Sequence, residues 1–116
     1  MDIEKRIIVR PTDTDSYNIV HHPQYFVWVE EAILECLISS YGSPEKLSYE
    51  INKFNCKFIS PGLLYDELIL RLIPKNRKSS ETEETLNFRA KIIKAGSKAT
   101  VIEADFFVNI RGTANG

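Results

Sequence analysis

Residues 23 to 40 read P-Q-Y-F-V-W-V-E-E-A-I-L-E-C-L-I-S-S. Gln24, Glu31, Glu35 and Ser39 fall on a narrow stripe at helical spacing, while Phe26, Val27, Trp28, Val29, Ile33, Leu34, Cys36, Leu37 and Ile38 spread apolar surface over more than half the circumference. A helix so widely apolar must be wrapped by the rest of the chain rather than laid on a surface. His22-Pro23 marks its start, because proline is preorganised for the first helical position and has no N–H to leave unpaired there. Gly42, as a left-handed cap, and Pro44 mark its end.

Upstream, residues 3–10 place Ile3, Ile7 and Val9 in one register with Lys5 among them, an imperfect strand pattern that Pro11 closes. Asp13-Thr14-Asp15 then supplies side chains that accept backbone N–H groups, which suits Asp13 to a structural turn. Asn18 falls where the chain turns again, and Asn tolerates the left-handed region better than other non-glycine residues. The loop carrying Asp15 therefore runs directly into the positive end of the helix, where free N–H groups favour a developing negative charge.

Downstream, the period changes to two. Tyr49 and Ile51 alternate with polar neighbours, and Phe54, Cys56 and Phe58 alternate on the opposite parity, so one extra residue near Asn52-Lys53 must form a bulge. Pro61-Gly62 turns the chain, and a strand from about Glu67 to Ile73 is expected to stop at Pro74. The polar segment from Lys75 to Glu83 reads as a long hairpin connection. Leu86 to Ile92 and Ile102 to Ile110 are half-buried alternating strands joined through a turn at 95–97, and a loose tail follows. One strand, one apolar helix and four further strands with short connections give an α+β chain. Consecutive strands are expected to pair antiparallel, forming a five-stranded sheet that curls around the helix.

The 116 residues, 43% hydrophobic, form one domain spanning residues 1–116, too small to bury much of its surface alone, so oligomerisation is expected. A net charge of −1 gives no general attraction to nucleic acid or to an anionic membrane. With no run of about 18 apolar residues and no apolar signal core after M-D-I-E-K-R, the expectation is a soluble, cytoplasmic protein. Cys36 and Cys56 read as buried free thiols. Adjacent histidines without distal ligands argue against a metal site at Asp13, Asp15, His21 and His22.

D-T-D-S-Y-N-I-V-H-H-P-Q-Y-F-V-W-V-E-E-A, residues 13–32, resembles the signature of the 4-hydroxybenzoyl-CoA thioesterase type of hotdog-fold acyl-CoA thioesterases, roughly D-x-D-x-x-G-x-V-x-[HY]-x-x-Y-x-x-W-x-[DE]-[EA]-A. The resemblance implies a hotdog fold and hydrolysis of an acyl-CoA or acyl-carrier-protein thioester, with coenzyme A as part of the substrate and no separate cofactor. It places the catalytic carboxylate at Asp15, as nucleophile or as general base, and the carbonyl-polarising backbone N–H at His22. The His22 imidazole either orients water or thioester or contributes nothing beyond its main chain. Asn18 and Tyr25 fall on the substrate side, and Arg77, Lys78 and Ser79 resemble a basic hairpin that lies near the nucleotide in similar enzymes. In such proteins two subunits join sheet edge to sheet edge, with the site at their interface and often within a tetramer, so the resemblance implies a homodimer or homotetramer. Two departures stand out: Pro11 where relatives have an aromatic residue, and Asn18 in place of glycine.

The chemistry is sound without the analogy, since a thioester is attacked readily when a carboxylate lies on one side of the carbonyl and fixed dipoles hold its oxygen on the other. Two alternatives remain at this level. A hotdog dehydratase or hydratase would change bonding at C2–C3 without releasing thiol, and a non-catalytic hotdog dimer would bind acyl thioesters without turnover.

Overall fold

The structure, a computed structural model, describes residues 2–42, 48–79 and 83–111. Strand β1 (Ile3–Ile8) leads through a short 3-10 turn (Pro11–Asp13) to helix α1 (His22–Tyr41), followed by β2 (Ser48–Phe58), β3 (Glu67–Ser79), β4 (Glu83–Lys94) and β5 (Thr100–Arg111). All pairings are antiparallel in one sheet of order β1-β3-β4-β5-β2. This is the expected five-stranded hotdog arrangement. The end of α1 at Gly42 adopts the anticipated positive φ of 92°, while Pro44 and the tail lie outside the described residues.

The core forms where the concave sheet face meets α1. Tyr25, Trp28, Val29, Ala32, Ile33, Cys36 and Leu37 line the buried side of the helix. Leu68, Leu70 and Leu72 of β3, Phe88, Ala90 and Ile92 of β4, and Ile102, Ala104, Phe106, Val108 and Ile110 of β5 meet them from below. The alternation of these strands places every second residue on that face. Lys5, the residue that spoiled the first strand's pattern, points to the helix side and ion-pairs with Glu35, closing that edge. The opposite face of the sheet is laced with cross-strand ion pairs, Glu4 with Arg71, Arg6 with Glu67, Arg89 with Asp105 and Lys91 with Glu103, as befits a solvated surface.

Four expectations need correction. The sheet is a meander only from β3 to β5, because β2 pairs with β5 and β1 with β3; residues 59–66 carry the chain across the end of the sheet between them. Pro74 does not stop β3, and residues 75–79 are strand rather than connection. The physical reason is that β1 ends its pairing at Ile3 opposite Leu72, so beyond that point β3 has a free edge where a missing N–H costs no ladder bond, and a register shift between Pro74 and Asn76 absorbs the proline. A single chain does not wrap α1 on all sides: Val27 is 47% exposed, because the sheet covers one face only. Both cysteines are free, but Cys56 on the edge strand β2 is half-buried while Cys36 is buried. The bulge in β2 falls where the phase slip put it, between Ile51 and Lys53.

Candidate functional site

The loop before α1 is built by its own acidic residues. Asp13 is buried and its carboxylate accepts the Arg10 backbone N–H at 2.8 Å and both ends of the Arg10 guanidinium at 3.1 Å. Burial pushes the Asp13 carboxyl up, but the Arg10 hydrogen bonds and charge outweigh it, and the net shift is downward. A carboxyl held below its unfolded value contributes stability that is fully present above the usual Asp range, about pH 4, and is lost as pH falls through the lowered folded value. Asp13→Asn is therefore expected to lower the urea midpoint near neutral pH and to flatten the acid limb of the stability curve, which unfolding at pH 3 and pH 7 compares directly.

Asp15 is exposed and forms an Asx turn. Its Oδ1 accepts the N–H of Tyr17 at 2.8 Å and of Ile19 at 3.2 Å, leaving Oδ2 without a partner among the described residues. Asn18 takes the anticipated left-handed conformation, φ 62°, with its N–H donated to the Asp15 carbonyl at 3.0 Å. The loop is then tied to the segment after β2: Val20 N–H donates to the Gly62 carbonyl at 2.9 Å, and Leu64 N–H donates to the Asn18 carbonyl at 2.9 Å. A carboxylate on this loop is thus held by main chain on both sides rather than carried on a free turn.

Beside the loop, at the start of α1, lies an apolar groove of about 210 Å³. Ile19, Val20, His22 and Tyr25 form one wall, and Phe58, Ile59, Ser60 and Pro61 the other. The His22 imidazole lies flat on the Phe58 ring, centroids 3.8 Å apart and planes 7° from parallel. Its main-chain N–H, in the first turn, has no hydrogen-bond partner among the described residues, as the start of a helix dictates. His21 caps the helix through its carbonyl, which accepts the Gln24 N–H at 3.0 Å. Tyr25 is 2% exposed, burial pushes its phenol up, and its oxygen accepts the Gly62 N–H at 3.0 Å. The Ser60 hydroxyl donates to the Thr100 carbonyl at 2.6 Å.

A Cβ at Gly62 would stand 3.1 Å from the Tyr25 hydroxyl oxygen and 3.2 Å from Val20 Cγ2, both on buried side chains, so Gly62→Ala needs these groove-wall neighbours to give by a few tenths of an ångström. The expected cost is about 1–3 kcal/mol, in line with overpacking elsewhere, read as a shift of the denaturation midpoint.

Of the residues marked in the sequence, His22 and Tyr25 share the groove, and Asp15 and Asn18 sit on the adjoining loop outside its lining. Arg77, Lys78 and Ser79 are elsewhere. They end β3 beside the C-terminus of α1, where the Tyr41 hydroxyl donates to Glu84 and Arg77 donates to the same carboxylate at 2.6 Å. Burial and the Glu84 carboxylate push the Tyr41 phenol up to about 12. The 20-residue helix separates that end from the groove by about 30 Å. Phe58, Ile59 and Ser60 are the groove residues that sequence reasoning missed; the register of β2 was legible, but the crossing of residues 59–66 beneath the helix start was not.

Glu30, exposed on α1, accepts the Tyr49 hydroxyl at 2.9 Å and so fastens the helix to β2. Among the described residues no group of three or more His, Cys, Asp or Glu side chains is gathered to hold a metal ion, and no helix is long and apolar enough to cross a membrane.

No family model matches the sequence, and no curated protein sequence matches it. Solved structures do share the fold. A hypothetical thioesterase from Streptococcus pneumoniae, solved with coenzyme A, superposes with a TM-score of 0.79 at 16% identity, covering 97% of this chain and 80% of that one. A 1,4-dihydroxy-2-naphthoyl-CoA thioesterase from Synechocystis gives 0.76 at 18% identity over 95% of this chain and 82% of its own. A gentisyl-coenzyme A thioesterase gives 0.74 at 23% identity, with 93% and 88% covered. At these identities the likeness establishes the architecture.

Proposed function

We propose that the chain is an acyl-CoA thioesterase, hydrolysing R-CO-S-CoA to a carboxylate and free CoA. The observation that carries this reading is the junction at the start of α1: a carboxylate fixed by two loop amides, with one oxygen free, stands on the loop that feeds an unpaired helix N–H and an apolar groove. The sequence signature over residues 13–32 and the thioesterase fold neighbours support it. The acyl group lies in the groove, the carbonyl oxygen accepts the His22 N–H, and Asp15 either deprotonates a water or adds to the carbonyl carbon itself. In both routes the C–S bond breaks, the CoA thiolate takes up a proton, and water supplies the oxygen of the released acid. The helix start supplies a fixed positive dipole whose attraction for the oxygen grows as negative charge builds on it.

For Arg77, Lys78 and Ser79 to serve the nucleotide, the reading needs a second copy of the chain. An edge strand with an exposed apolar face invites pairing, and β2 offers this while β1 is guarded by charge: Phe54 is 51% and Phe58 40% exposed. Two copies joined through β2 across a two-fold axis run antiparallel, so the Ser48 end of one β2 faces the Phe58 end of the other. The basic hairpin of the partner then stands beside this chain's groove, where it meets the CoA phosphates. Lys78, free of ion pairs among the described residues, is better placed for this than Arg77, which Glu84 already holds.

A thiol-trapping assay over aromatic, short and long acyl-CoA thioesters tests the reading, with free thiol as the expected product. The position of Asp15 outside the groove lining favours one competitor, a hotdog dimer that binds acyl-CoA without turnover. Saturable binding with no thiol released across the panel would establish that competitor instead.

A further inference from the structure

Phe58 closes β2 at the point where the groove opens toward the surface. Its ring is 40% exposed, stacks on His22 at 3.8 Å, and meets Phe26 edge-on at 6.2 Å. On the side away from the groove lies Phe54, 51% exposed and packed on Phe26 at 4.9 Å and Phe106 at 5.6 Å. The ring thus stands between the groove and the apolar side chains of Phe26 and Phe54 along the edge strand.

The volume decides what fits behind it. A cavity of roughly 150 Å³ holds one benzene ring, so the groove of about 210 Å³ seats one ring or a short branched chain against its apolar walls with little room to spare. Of the hydroxyls on its walls, the Ser60 proton goes to the Thr100 carbonyl, while the Tyr25 oxygen takes the Gly62 N–H and keeps its own O–H to donate. We infer that Phe58 is the specificity-determining residue of the acyl groove, stacking on His22 to restrict the acyl group to about one ring, and that its removal extends the groove toward Phe26 and Phe54. This rests on the proposed acyl-thioester site.

The test uses two thioether analogues that no hydrolase cleaves, S-benzyl-CoA and S-(2-naphthylmethyl)-CoA, titrated calorimetrically into the full-length protein. Wild type is expected to prefer the benzyl ligand by about tenfold or more, within the range that shape exclusion of a few carbons gives. Phe58→Ala should abolish or reverse that preference, and Phe58→Leu, which keeps the strand end apolar and safeguards folding, should fall between. Equal weakening of both ligands, no preference in wild type, or no binding of either overturns the assignment. The matching benzoyl and naphthoyl thioesters, followed by thiol release, separate the two claims. A preference that moves without any thiol release sinks the hydrolase while Phe58 stands; thiol release with an unmoved preference does the reverse.

Discussion

Asp15→Asn is expected to cut thiol release by a factor of about 10²–10⁴, the span usually lost when a positioned acid-base group or nucleophile is removed. The substitution is nearly isosteric, and an amide oxygen at the same place still accepts the N–H groups of Tyr17 and Ile19, so the Asx turn and the loop it organises should persist. The unfolding midpoint should therefore stay within about 1 kcal/mol of wild type, since only neutral hydrogen bonds replace charge-assisted ones on an exposed loop. Asp15→Ala is the informative companion. It removes the acceptor as well as the charge, and should cost both activity and loop order, whereas Asp15→Asn costs activity alone. Undiminished hydrolysis by the Asn variant would remove Asp15 from the chemistry and leave the groove without its carboxylate.

Local signals were the readable part of this chain. The positive φ at Asn18, the bulge between Ile51 and Lys53, the helix start at His22-Pro23 and the buried face of α1 each follow from a property of a few neighbouring residues, and each is where the sequence placed it. Pairing order is a different kind of fact. A connection of residues 59–66 looks like any hairpin loop in composition, yet its amides are taken up by Val9, Asn18 and Val101, three separate parts of the chain, and that carries β3 to the far side of the sheet. Pro74 misled for a related reason: whether a proline ends a strand depends on whether a neighbour needs its N–H, and the neighbour, β1, is some 70 residues away in sequence. The groove inherits the same blind spot. His22 and Tyr25 lie on the helix that the motif announces, while Phe58 reaches the groove through the pairing of β2 with β5 and Ser60 through the crossing segment.

The hairpin poses the sharpest problem of this kind, because Arg77 to Ser79 and the groove occupy opposite ends of one helix, and the proposed subunit pair is what would bring them together. Complementation between two defective variants tests that arrangement. The first is Asp15→Asn, inactive with an intact hairpin. The second carries Lys78→Glu, an exposed residue outside the Tyr41–Glu84–Arg77 contacts, with Asp15 intact. Reversing a charge proposed to meet the CoA phosphates should raise KM for acyl-CoA by about tenfold without touching the carboxylate. In a two-fold pair with the hairpin acting in trans, a hybrid dimer has one site that combines Asp15 from the second variant with the hairpin from the first, and that site is wild type throughout. Unfolding the variants together and refolding them at equal ratio should yield about half hybrids, and so about a quarter of wild-type activity at the wild-type KM. If each hairpin served its own groove, every hybrid site would contain a defect and the mixture would show only the weakened kinetics of the charge-reversed parent. Recovery of wild-type KM therefore distinguishes the two geometries even when the absolute rate is uncertain, since no mixture of defective sites acting independently generates a low KM from a high one together with an inactive one.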